Sequence, residues 1–257
     1  MADYPDTTKY PVHGVDCSFY QNDDGRIGRV NFDKMHLNGA DFVICRAGQK
    51  NWPDPLFKEY WANSKGVMPR GSYWFYDSRE NPKRQAELWV SILGNDLGEL
   101  PLQADLEDEY KGQYHGWKHW YDFMERVKVL TGGKTEMVYT RYYYWKDEGP
   151  KPPNDTYFAQ YDLWVANYET KTPLLPTTWK NWRLWQFTAA GDGRAYGVES
   201  KGIDLNYFNG TKAEFEAWAG MPPDGPTTPP EPPVEPIPGK VTLTVPKGTQ
   251  VEIKELP

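Results

Sequence analysis

Eight short runs of apolar, β-branched and aromatic residues punctuate the chain. The first five are separated by segments with a helical pattern, and the last three are not. The runs are 14–18 (GVDCS), 42–46 (FVICR), 71–75 (GSYWF), 102–106 (LQADL), 136–140 (EMVYT), 163–166 (LWVA), 183–187 (RLWQF) and 202–205 (GIDL). Each is bounded by turn residues, as strands are. The intervening helices carry their own stop and start signals. Asp54-Pro55 predicts an N-cap followed by proline at the first helical position, with Gly66 as the stop, and Asn81-Pro82 repeats the device with Gly94. Trp117, Trp120, Tyr121, Met124 and Val127 fall on one face at the helical period, and shorter helices are expected over 32–38 and 155–161. Five βα units followed by three β units predict an α/β fold, a closed but irregular eight-stranded barrel.

The composition changes after Gly220. Residues 221–239, MPPDGPTTPPEPPVEPIPG, predict an extended proline-rich linker, and 240–257 alternate like the opening hairpin of a further β module. Eighteen residues are too few to fold alone. The expected organisation is a catalytic barrel over 1–220, a linker over 221–239, and the start of a truncated module, of a wall-binding kind, over 240–257.

The fourth run ends in LQADLEDE, with four acids in five residues. Alternate strand residues share a face, so Asp105 and Glu107 are expected to point into the barrel mouth and Leu106 out to the helices. Residues at the C-terminal ends of barrel strands build active sites. Asp16 and Asp204 occupy comparable positions in the first and last runs, which become neighbours when the sheet closes. Carboxyl groups facing each other across a cleft are what glycoside hydrolysis uses. Taken alone, an acid-rich strand end is more often a solvated edge, and Asp108 and Glu109 read as solvated or helix-entry acids. A divalent cation is the other use for such a cluster, but no calcium-loop spacing is present.

Aromatic residues are 16% of the chain, with 12 Trp and 18 Tyr. Tyr73, Phe75, Tyr139, Trp164, Tyr168 and Trp185 lie at or near strand ends, with Gln186 beside them. Sugar rings stack their C–H faces on such side chains, which makes these seven candidate substrate contacts. The alternative is core packing, and Trp74, between Tyr73 and Phe75, must face the helices. A formal net charge of -7 without a basic cluster excludes a nucleic-acid surface. Cys17 and Cys45 make no disulfide framework, although adjacent strands allow a bridge. The opening residues show no signal-peptide pattern, and no apolar run is long enough to insert in a membrane. No cofactor or metal is expected, and the chain is expected to be monomeric.

The segments GVDCSFYQ, FVICRAG, GSYWFY, LPLQADLEDE, VYT, LWVANY, LWQF and GIDLNYF, in this order over residues 12–210, resemble glycoside hydrolase family 25. These are the Chalaropsis-type lysozymes common among phage endolysins. The resemblance implies an irregular TIM-like (β/α)5β3 barrel. It also implies cleavage of the β-1,4 bond between N-acetylmuramic acid and N-acetylglucosamine in bacterial peptidoglycan. Glu107 matches the family's proton donor and Asp105 its partner, while Asp16 and Asp204 match the remaining acids. Asp105 orienting the substrate's N-acetyl group and direct displacement by water or a carboxylate both remain open at this level. Cys17 and Cys45 stand where relatives carry aliphatic or small residues, and ADLE replaces the commoner LDxE. A phage or prophage endolysin held in the host cytoplasm until a holin releases it is the expected setting. A glycan-binding barrel without turnover and a chitinase-like hydrolase are the rival readings.

Overall fold

A computed structural model describes residues 6–22, 30–134, 136–151 and 156–221. The expected linker and module fall almost wholly on 222–257, outside the described residues. In chain order the regular elements are β1 (His13–Cys17), α1 (Phe32–Leu37), β2 (Phe42–Gln49), β3 (Trp52–Pro53), α2 (Phe57–Asn63), β4 (Arg70–Phe75), α3 (Pro82–Leu93) and β5 (Leu102–Asp105). After these come α4 (Trp117–Leu130), β6 (Glu136–Arg141), α5 (Thr156–Ala159), β7 (Asp162–Ala166), β8 (Leu184–Asp192), β9 (Gly202–Phe208) and α6 (Lys212–Trp218).

Eight of the strands close a ring in the order β1-β2-β4-β5-β6-β7-β8-β9, with β9 returning to β1. The pairs from β1 round to β8 are parallel, and β9 runs antiparallel to both neighbours. That reversal follows from the missing helices. A parallel return needs a crossover of a dozen or more residues, whereas β8 and β9 are joined directly and pair antiparallel. The extra strand β3 is two residues folded back on the end of β2.

Side-chain alternation separates two apolar layers. Val15, Cys17, Val43, Cys45, Trp74, Ala104 and Leu106 face outward and pack with Trp89, Trp120, Phe123 and Met124 of the helices. Phe42, Ile44, Met137, Trp164, Leu184 and Phe208 face inward. Phe215 of α6 stacks on Phe42 at 5.4 Å and closes the lower end of the barrel, opposite the mouth. This helix was not expected from the pattern. Its start is nonetheless marked by a capping box between Thr211 and Glu214.

Several expectations need correction. The Asn81 cap on Pro82 forms, its carboxamide oxygen accepting from Lys83 and Arg84 N–H, but Asp54 caps nothing helical. The helix begins at Phe57 with Leu56 at its cap position. Asp54 is instead buried against Arg46, accepting from its Nε at 3.0 Å, from Phe19 N–H at 3.1 Å and from Leu56 N–H at 3.0 Å. On α4, Phe123 takes the core position expected of Tyr121, which is 38% exposed. Cys17 and Cys45 lie in register on β1 and β2 as free buried thiols, with Sγ atoms 3.8 Å apart.

The Arg46–Asp54 pair ties β2 to the turn before α2, and the Phe19 N–H bond to Asp54 adds the turn after β1 to the same corner. Removing one member leaves a buried charge without its partner. Asp54→Ala is therefore expected to lower stability by about 3–5 kcal/mol in urea unfolding. A loss within experimental error would show that the pair does not anchor this corner.

Candidate active site

A cleft of about 460 Å³ opens at the C-terminal ends of the parallel strands. Its walls include Asp16 from β1, Tyr73 and Phe75 from β4, Asp105 from β5, Glu107 just beyond it, Tyr139 and Arg141 from β6, Trp164 from β7, Tyr168 after it, Gln186 from β8 and Asp204 from β9. The four acids singled out in the sequence thus share one opening, and so do six of the seven candidate substrate contacts. The β5 ladder ends at Asp105, yet Leu106 N–H still donates to the Tyr139 carbonyl at 2.9 Å. That bond carries the alternation one residue further and turns Glu107 back toward the cleft.

Trp185 is the exception. It faces outward, where its ring packs with Tyr10, Trp182 and Tyr207 and its Nε1 donates to the Asn167 carbonyl. Alternation explains the error: Gln186 faces the cleft, so its neighbour cannot. Asp108 also departs from expectation. It is buried, with Oδ1 accepting from Tyr110 N–H and its carbonyl accepting from the Tyr144 hydroxyl, while the Glu109 side chain is 61% exposed and lines the cleft.

Asp16 and Asp204 are register partners across β1 and β9. Asp16 Oδ2 accepts from Gln186 Nε2 at 2.9 Å and from Asn206 Nδ2 at 2.8 Å. Each amide is itself oriented. The Gln186 oxygen accepts from the Tyr139 and Tyr168 hydroxyls, and the Asn206 oxygen accepts from Trp164 Nε1 at 2.8 Å. Burial pushes Asp16 up to about 6, with the two amides and a hydrogen bond from Asp204 pulling the other way. Burial and the neighbouring Asp16 charge push Asp204 up to about 9, so at neutral pH Asp204 holds the proton of this pair. Asn206 was missed in the sequence, although it lies two residues after Asp204 on the same face of GIDLN.

Across the opening, Asp105 is 3% exposed and its carboxyl makes no hydrogen bond among the described residues. Desolvation and the Glu107 charge hold it well above the ordinary carboxyl range. Burial raises Glu107 to about 7, against the pull of Arg141, whose Nε donates to Glu107 Oε2 at 2.7 Å. An unsatisfied buried carboxyl is costly, and such groups are kept where chemistry needs them. Arg141 and Tyr110 were also missed. Tyr110 is half exposed at the cleft edge, with the Arg79 guanidinium 3.5 Å from its ring centre and that guanidinium held by Asp77.

Four carboxyls raised by burial, two on each side of one aromatic-walled cleft, are the groups that the class of glycoside hydrolases uses. Comparison with known proteins gives the family: residues 15–195 match Glycosyl hydrolases family 25, and the chain belongs to it. It is 28% identical to Lysozyme M1 of Streptomyces globisporus over 226 residues, covering 81% of this chain and 71% of that protein. It is 28% identical to protein YegX of Escherichia coli K12 over 216 residues, covering 81% and 74%. A solved family 25 glycosyl hydrolase from Bacillus anthracis superposes with a TM-score of 0.66 at 25% identity, covering 82% of this chain and 95% of that one.

Proposed function

We propose that this family 25 hydrolase is an N-acetylmuramidase that cuts the β-1,4 bond between N-acetylmuramic acid and N-acetylglucosamine in bacterial peptidoglycan, with Glu107 as the proton donor. Membership of the lysozyme family supports the substrate. The observation that carries the reading is the setting of Glu107, a carboxyl in the cleft raised to about 7 by burial. A general acid must hold its proton at working pH, and an ordinary glutamate does not at neutrality.

Asp105 supplies the second role. Its Oδ1 is buried without a hydrogen-bond partner among the described residues, so it is available to the N–H of the substrate's 2-acetamido group. Held in that way, the acetamido carbonyl oxygen attacks the anomeric carbon as Glu107 gives its proton to the departing glycosidic oxygen. Water then adds at the anomeric carbon, the bond from that carbon to the acetamido oxygen breaks to restore the acetamido group, and a proton of the water returns to Glu107. This is the substrate-assisted variant of glycoside hydrolysis. Asp16, fixed by two amides and sharing a proton with Asp204, keeps the far side of the cleft polar and rigid. Tyr73, Phe75, Tyr139, Trp164 and Tyr168 offer ring faces and hydroxyls to the sugars.

Suspended Gram-positive cell walls are expected to clear with release of new reducing ends. The rate should fall as pH rises through about 7, where Glu107 loses its proton. Clearing without reducing ends, or a rate still rising beyond pH 8, would contradict the assignment.

A further inference from the structure

We infer that Arg141 is the positioning residue of this site: it occupies one oxygen of Glu107, leaves the other to carry the proton, and is shared with Glu109 so that the cation never belongs to Glu107 alone. The inference rests on Glu107 as the proton donor.

Arg141 is the last residue of β6, two positions after Tyr139 and on the same inward face. Its Nε donates to Glu107 Oε2 at 2.7 Å, and its Nη2 donates to Glu109 Oε1. A guanidinium edge commonly grips both oxygens of one carboxylate. Here that edge is divided between two side chains. Glu107 therefore receives a single charge-assisted hydrogen bond, and its Oε1 takes none among the described residues.

The division resolves a conflict. A proton donor needs a fixed orientation, which a hydrogen bond from Arg141 supplies. A cation held by Glu107 alone would also favour its ionised form, which has no proton to give. Glu109 draws on the same cation and adds a negative charge nearby, and both effects favour the protonated form. The other titratable groups facing Glu107 are Asp16 from β1, Asp105 from β5, Asp204 from β9, Tyr139 from β6, Tyr144 from the π-helical turn (Tyr144–Glu148) after β6, and Tyr168 from the loop after β7. After burial, Arg141 is the leading influence on Glu107 and the cation that touches it, while Arg46 of β2 acts on the neighbouring Asp105 and Tyr73.

Two variants are expected to move the alkaline limb of the kcat/KM profile in opposite directions. Arg141→Gln removes the cation, so the midpoint moves up by roughly one pH unit. Loss of orientation should cut its kcat by roughly ten- to a hundredfold. Glu109→Gln leaves Arg141 wholly to Glu107, so the midpoint moves down. Arg141→Lys keeps the charge without the fork. It should hold the midpoint nearer wild type than Arg141→Gln does while kcat stays reduced, and it guards against misfolding of the neutral variant. The profiles are measured by reducing-end release from isolated walls, with Glu107→Gln alongside. Midpoints that stay put or shift the same way, with Glu107→Gln inactive, overturn the inference alone. An active Glu107→Gln overturns the proton-donor reading on which it rests.

Discussion

Glu107→Gln is expected to reduce reducing-end release from cell walls by about a thousandfold, the scale of a lost general acid. The substitution is close to isosteric, and the carboxamide oxygen still accepts from Arg141 Nε, so the arm that holds the side chain in place survives. What disappears is the transferable proton. Departure of an unprotonated sugar alkoxide is the costly event, and no other acid is expected to replace the donor, Asp105 being turned to the acetamido group rather than to the glycosidic oxygen. Asp204 holds a proton but shares it with Asp16, on β1 and β9. Binding of glycan fragments should be nearly unchanged, because the aromatic walls are untouched. A variant that keeps a tenth of wild-type activity would remove Glu107 from the donor role.

Asp105→Asn is expected to lose about a hundredfold in kcat, since a mispositioned acetamido group reaches the anomeric carbon rarely. The same substitution should stabilise the fold, which separates catalytic loss from damage. The sign follows from linkage. Burial raises the Asp105 carboxyl, so the folded state retains a proton that the unfolded chain releases above about pH 4. Whatever Asp105 contributes to stability is present below that pH and is lost as pH rises. Asparagine has no proton to release, so the variant should match wild type in melting temperature near pH 4 and exceed it near pH 8. Loss of activity together with a lower melting temperature at pH 8 would instead indicate a structural role.

Much of this site was legible because strand alternation is a strict rule. The period of two placed Asp105 and Glu107 on one side and Leu106 and Trp74 on the other, and the coordinates agree. The same rule, applied consistently, would have excluded Trp185 once Gln186 was set facing inward. Closure of the ring brought Asp16 against Asp204 because the count of eight runs made the first and last strands neighbours. Other features follow from contacts distant in sequence. Nothing local marks Arg141 as the partner of Glu107, 34 residues earlier, or Asp54 as the partner of Arg46 rather than a helix cap. Asp54-Pro55 carries the local signature of a cap, and its carboxylate does accept Leu56 N–H, but the helix starts only at Phe57 and the same carboxylate is also claimed by the Arg46 guanidinium and by Phe19 N–H. The plug helix α6 has only a short amphipathic face, and its role depends on the open lower end of a barrel that its own residues do not reveal.

Mass spectrometry of peptidoglycan digested by this protein and then reduced with borohydride bears most directly on the proposal. A muramidase leaves N-acetylmuramic acid at each new reducing end, so the fragments should carry N-acetylmuramitol. Fragments ending in reduced N-acetylglucosamine, or stem peptides freed from intact glycan, would contradict it.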